Sequence, residues 1–126
     1  MTNDRRKHRR QMTRSEIASV EALVHAQSKW AIGKHATGRM ATKGIEREQV
    51  LDVLSTGRMV EVNRNNDLCA LFRKEYGNEA VCVVVSLETR WVVTVWKNQA
   101  RDKHRTLDAT KYLWDVDVCE EMAVFA

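Results

Sequence analysis

The chain has no proline among its 126 residues, where average usage of about 5% would supply about six. That excludes proline-rich linkers and polyproline recognition motifs. Cysteine is scarce: Cys69, Cys82 and Cys119 are an odd number without C-x-x-C spacing. Two of them sit in apolar runs, "DLCALF" and "AVCVVV", and are expected as buried thiols, with no zinc site or disulfide framework in view. No stretch is long and apolar enough to span a bilayer, and the first residues lack the apolar core of a secretory signal. A cytoplasmic protein with no membrane association is the expectation. Internal repeats are also lacking.

Charge is present but unevenly placed. The net charge is +4, yet residues 1–14, "MTNDRRKHRRQMTR", hold Arg5, Arg6, Lys7, Arg9, Arg10 and Arg14 against the single acid Asp4. Positions 15–126 keep 15 basic and 16 acidic residues, so the body is balanced and the excess is a tail. Residues 1–13 are expected as a flexible basic arm, either solvated or held to a phosphate backbone by counterion release. The remainder, 14–126, is long enough for one domain with its own core.

Periodicity organises that domain. Thr13 with Glu16 fits a capping box, and "SEIASVEALVHAQSKW" puts Ile17, Val20, Leu23 and Val24 on one face of a helix over about 14–30. A second, shorter helix is expected over about 32–43, stopped by Gly44 in the left-handed conformation. Gly38 inside it suggests a break or a close backbone approach. "IEREQVLDVLSTG" makes a third, with Val50, Leu51 and Leu54 inward and Gly57 at its end. The period then changes to two: "RMVEVNRN", "DLCALFRKE", "EAVCVVVSLE" and "RWVVTVWKN" read as four strands of an antiparallel meander. Helices first and sheet second make the class α+β. The end of the chain is expected as a helix over about 107–114 followed by an extended tail.

The candidate chemistry begins in "KHATGRMATK". His35, Arg39 and Lys43 are four residues apart and stack along one helical face, while Ile32, Ala36 and Met40 form a parallel apolar stripe. An unperturbed imidazole, with a pKa of about 6.5, suits proton transfer near neutral pH. Arginine forks onto a phosphate with two hydrogen bonds. On the fourth strand, strict alternation puts Arg90, Val92, Thr94, Trp96 and Asn98 on one face and Trp91, Val93 and Val95 on the other. Thr94 offers a hydroxyl and Trp96 a plane for base stacking; closing the core under the C-terminal segment is the other use for Trp96. These parts suffice for metal-free RNA cleavage, in which a base takes the 2′-hydroxyl proton and a cation stabilises the charge on phosphorus. His35, Arg39 and Thr94 are then the catalytic candidates, and Lys34, Lys43, Trp96, Asn98 and His104 the RNA-binding ones. No acidic cluster of the kind that holds a metal stands beside them, and no cofactor is expected. A surface role is the alternative for His35, and a solvated basic loop for His104.

The order "H-A-x-x-R-M-x-x-[KR]-G-I", then "V-x-x-x-V-L-x-x-G", then strands ending in "V-V-T-V-W", resembles the small RelE-like and BrnT-like domains of bacteria and phages. These fall within the barnase–EndoU–colicin–RelE (BECR) group of metal-independent ribonucleases. His35, Ala36, Arg39, Met40, Gly44, Ile45, Gly57, Thr94 and Trp96 carry the resemblance, over about residues 32–100. It implies an RNA-cleaving cleft between helices and an antiparallel sheet. It also implies a toxin acting on tRNA or mRNA, with an antitoxin, immunity or host protein as further partner. Colicin D-type tRNases are similar in placing a Lys and a His early and a Ser/Thr-x-Trp late, where Lys34, His35, Thr94 and Trp96 stand. The C-terminal Tyr or Arg common in RelE toxins has no aligned counterpart in Tyr112 or Arg105. The alternative function is a non-catalytic phage or mobile-element protein that binds and inhibits or regulates a host protein or nucleic-acid complex.

Overall fold

The computed structural model describes residues 5–101 and 112–125. Its centre is a sheet of six strands: β1 (Arg6–His8), β2 (Ala31–Ile32), β3 (Arg58–Arg64), β4 (Leu68–Tyr76), β5 (Glu79–Ser86) and β6 (Trp91–Gln99). The strand order is β1-β3-β4-β5-β6-β2. The four long strands form the expected antiparallel meander. Two short strands extend it, β1 antiparallel to β3 and β2 parallel to β6. Helices α1 (Arg14–Ala26), α2 (Lys34–Lys43) and α3 (Arg47–Thr56) precede the meander, and α4 (Val118–Ala123) follows it. The class is α+β, as the order of elements implies.

The helix boundaries follow local chemistry. Thr13 Oγ1 accepts from Glu16 N at 3.1 Å, and Glu16 Oε1 accepts from Thr13 N at 2.8 Å, which closes the capping box and starts α1. The helix stops at Ala26, short of the expected end, because Trp30 is drawn into the core and Ala31–Ile32 leave as a strand. Gly44 ends α2 at φ 65°, a conformation that costs glycine nothing. At Gly57 a β-carbon would lie 2.3 Å from the Val53 carbonyl oxygen and 3.0 Å from that of Arg73. Glycine alone lets α3 turn there directly into β3. The break considered at Gly38 does not occur: α2 runs through it, and a β-carbon there would meet nothing within 4 Å. Gly38→Ala should therefore stabilise the fold by about 1 kcal/mol, read as a higher midpoint in urea; an unchanged or lower midpoint would show a hidden constraint at this position.

The sheet has two differently furnished faces. The helices cover the first, where Val20, Val24, Ala36, Val50, Val53 and Leu54 pack on Phe72, Val83, Val92 and Val95. The second carries a smaller cluster of Val60, Leu71 and Cys82, with Val84 and Trp96 against it. Two register irregularities decide who faces where. One between the Val84 and Val85 pairs sets Thr94 opposite Val84 but Val92 opposite Val85. Val92 and Val95 thus share the helix-covered face, correcting the strict alternation that grouped Val92 with Thr94 and Trp96. The other, between Met59 and Glu61, parts Val60 from Val62 in the same way. A bulge inserts one residue and flips everything beyond it.

The basic N-terminal segment is ordered where it is described. Over Arg6–His8 it pairs with Glu61–Asn63, and a 3-10 turn, Arg9–Gln11, follows. Lys7 is buried against α1, its Nζ donating to Glu16 Oε2 at 2.8 Å and to the Val116 carbonyl at 2.7 Å. Arg9 donates to Glu21 and to the Met59 carbonyl, both at 2.9 Å, while Glu21 accepts from Met59 N. That pair closes the edge of β3 where β1 ends. A flexible arm is therefore corrected over residues 5–13 to an edge strand and turn, since two of its cations find carboxylates on α1.

The expected C-terminal helix over 107–114 lies largely outside the described residues. Its last positions, Tyr112–Trp114, are not helical, and Trp114 N donates to the Arg6 carbonyl. The tail expected to be extended holds a helix, α4, capped by the Asp117 side chain on Cys119 N. Cys69 and Cys82 are buried as expected, and Cys119 is half-buried. Burial, with Asp67 and Glu88 nearby, pushes the Cys69 thiol up to about 11, so it is a protonated core group. Among the described residues no helix is long and apolar enough to cross a membrane.

Candidate nucleic-acid interface

Helix α2 contains no acidic residue. Its apolar stripe does what the periodicity implies: Ala36 is buried, and Met40 packs against the same core as Val92 and Val95. The other stripe is in solvent. Lys34, His35, Arg39 and Lys43 are all exposed, and none makes a side-chain hydrogen bond or ion pair to a described residue. Gly33 precedes the helix and supplies no side-chain cap, so the first-turn amides stay available beside Lys34 and His35. The positive end of the helix dipole adds to the two side chains. At the other end Lys97 approaches Gly44, its Nζ 3.2 Å from Glu79. The result is an open cationic ridge, one helical turn between successive charges, with a histidine in its first turn.

Thr94 and Trp96 do not join this ridge. Thr94 is opposite Val84 and Trp96 opposite Cys82, and the indole packs with Val60, Leu71, Cys82 and Val84 on the second face. Helix α2 packs with Val92 and Val95 on the first. The sheet stands between them, so the expected common groove of imidazole, hydroxyl and indole is not formed. The bulge in β6 is the physical reason. Asn98 is on the Trp96 side as well, its Nδ2 3.9 Å from Cys82 Sγ. His104 and Arg105 lie outside the described residues. In the basic segment, Lys7 and Arg9 are committed to Glu16 and Glu21; Arg5 and Arg10 are exposed and Arg6 is half-buried.

The remaining histidines have structural neighbours. His25 holds the Gly57 carbonyl through Nε2 at 2.7 Å and meets the Phe72 ring edge-on, fixing the end of α1 to the α3–β3 junction. His8 caps the 3-10 turn, Nδ1 accepting from Arg10 N, and meets the Tyr112 ring edge-on at 5.1 Å. Tyr112 donates in turn to Glu61 Oε1 at 3.0 Å.

Sequence reasoning missed a cavity of about 630 Å³ where the 3-10 turn, the start of β3 and the end of β4 meet. Its wall includes His8, Arg9, Arg10, Arg58, Arg73 and Lys74, with Glu75 as the one acid among the described lining residues. The register pair Arg58↔Arg73 was the legible signal, but it requires the β3–β4 alignment that a bulge had obscured. No group of three or more His, Cys, Asp or Glu able to hold a metal ion occurs among the described residues.

An α+β domain with helices on one face of an antiparallel meander, and a cationic helix ridge facing solvent, defines the class of protein. Residues 32–97 match the family described as Domain of unknown function (DUF4258), and the chain belongs to that family. The match covers α2, α3 and β3 to β6, just over half of the chain, and leaves out β1, α1 and α4. Every residue that carries the RelE-like resemblance lies within it; the family description itself names no toxin and no activity. No curated protein and no solved structure matches the chain.

Proposed function

We propose that the chain is an RNA-directed protein that meets the phosphate backbone with α2 and cleaves it without a metal, by attack of the 2′-hydroxyl. His35 moves the proton and Arg39 holds the phosphate, flanked by Lys34 and Lys43. The observation that supports this reading is the acid-free α2 ridge, whose four cationic or titratable side chains are exposed and have no partner in the described protein. Cations at one-turn spacing suit a polyanion with regularly spaced charges. The mechanism needs little more: a base for the 2′-hydroxyl, a fork for the non-bridging oxygens and a proton for the leaving 5′-oxygen. Thr94 and Trp96 take no part in it from their side of the sheet. The RelE-like toxin reading of the family pattern belongs to this proposal, with cytoplasmic tRNA or mRNA as substrate and an antitoxin or immunity protein as partner.

Purified protein incubated with RNA in the presence of a chelator should yield products ending in 2′,3′-cyclic phosphate or 3′-phosphate, and should leave DNA of the same sequence intact. Products with 3′-hydroxyl ends, or equal cutting of DNA, would rule out the 2′-hydroxyl route. Arg39→Ala and Lys43→Ala should each reduce the dependence of RNA affinity on salt by about 0.7 in the log–log slope; an unchanged slope in both would remove α2 from the interface.

The second reading is a non-catalytic protein that binds a host protein or nucleic-acid complex. The separation of Thr94 and Trp96 from α2 by the sheet favours it. Binding of RNA with wild-type affinity but no turnover at any protein concentration would select it.

A further inference from the structure

The cavity beside β3 is built from two parts of the chain with different status: Thr56–Val60 and Arg73–Glu75 come from the family-matched segment, while His8, Arg9 and Arg10 come from the N-terminal extension outside it. Its charge is one-sided. Glu21 answers Arg9, Asp52 answers Lys74 at 2.7 Å and Glu75 answers Arg73 at 3.3 Å. These three carboxylates leave Arg58 unanswered at the mouth of the cavity. Arg58 is exposed, and its guanidinium makes no hydrogen bond or ion pair to a described residue.

Arg73 is fixed differently. It is 6% exposed, and its guanidinium donates to the Gln99 and Ala100 carbonyls at 3.3 and 3.1 Å as well as to Glu75. One guanidinium is thus pre-positioned in the wall and the other stands free at the strand end directly across from it. Like charges in register on neighbouring strands are unfavourable by themselves and favourable around a shared anion. Val60 gives the same cavity an apolar contact. A volume of about 630 Å³ is that of a small-molecule site, well beyond a lone anion.

We infer that this cavity binds a phosphate ester of nucleotide size, with Arg58 as the movable phosphate clamp and Val60 against the uncharged body of the ligand. The inference stands apart from α2: the ridge and the cavity share no residue. The same chemistry can be presented by a free nucleotide or by a nucleotide of an RNA strand.

The test is calorimetric titration of the full chain with adenosine monophosphate, with adenosine, and with a short single-stranded RNA, repeated for Arg58→Glu and for Lys43→Ala. Arg58 is exposed, so the folded state of its variant is checked by an unchanged cooperative urea transition; Arg10→Ala serves as the second variant at the same cavity. The expected result is binding of the monophosphate but not of adenosine, weakened at least tenfold by Arg58→Glu. Binding of the RNA alone, again weakened tenfold by Arg58→Glu, supports the cavity with a strand as its ligand. Absence of all binding, equal binding of adenosine and its monophosphate, or affinities indifferent to both Arg58→Glu and Arg10→Ala would overturn the inference. Loss of RNA affinity in Lys43→Ala with Arg58→Glu silent would do the same while leaving the α2 reading in place.

Discussion

Replacing Glu16 by alanine should destabilise the protein by about 3–5 kcal/mol, the usual cost of breaking a buried ion pair from one side. Glu16 is 2% exposed and its carboxylate collects three donors: Lys7 Nζ, Thr13 N and Val118 N, at 2.8, 2.8 and 2.9 Å. These come from β1, the start of α1 and the start of α4, so one side chain ties both ends of the chain to the first helix. Without it, the Lys7 ammonium stays buried with only the Val116 carbonyl. Lys7→Met combined with Glu16→Ala should cost less than Glu16→Ala alone, because the stranded charge is gone. Urea unfolding measures both. A cost below about 1 kcal/mol for the single variant would mean that the pair behaves as a solvated surface bridge.

The same pair sets an acid limit. Burial pushes the Glu16 carboxyl up, but the Lys7 hydrogen bond and the Thr13 and Val118 amides outweigh it, and the net result lies below the ordinary 4.5. A depressed folded-state value contributes stability that is complete above the unfolded value and lost as pH falls through the folded one. Wild-type stability should therefore decline below about pH 4.5 more steeply than that of Glu16→Gln.

The second large effect concerns His35. If the imidazole moves the proton in RNA cleavage, His35→Ala should lower the single-turnover rate by about 10²–10⁴-fold, the range for a general acid or base. The side chain is exposed and has no partner among the described residues, so its loss should leave stability unchanged within about 0.5 kcal/mol. RNA affinity should fall far less than the rate, because Lys34, Arg39 and Lys43 remain. Expression of the intact chain should accordingly arrest bacterial growth, and His35→Ala should be tolerated. Equal rates for the two proteins would remove His35 from the chemistry.

How much of this was legible depends on how local the cause is. The capping box at Thr13 and Glu16, the left-handed stop at Gly44 and the tight turn at Gly57 are written in a few adjacent residues, and each forms as the sequence implies. Strands β3 to β6 announce themselves by alternation. β1 and β2, at three and two residues, are too short to show a period. Lys7 lay in a run of cations and reads as solvated; its carboxylate is nine positions away, on another element. The site failed for a comparable reason. Alternation assigns faces correctly only up to a bulge, and the irregularities in β3 and β6 fall where Val60, Val92, Thr94 and Trp96 had to be sorted. The α2 ridge survives because a continuous helix has no such slip.

The most direct measurement is a titration of the isotopically labelled protein with single-stranded RNA, followed through backbone amide resonances. If α2 meets the phosphates, the resonances of Lys34, His35, Arg39 and Lys43 shift together, and sodium chloride reverses the shifts. Resonances that move only around Thr94 and Trp96, with α2 unmoved at saturating RNA, would contradict the account.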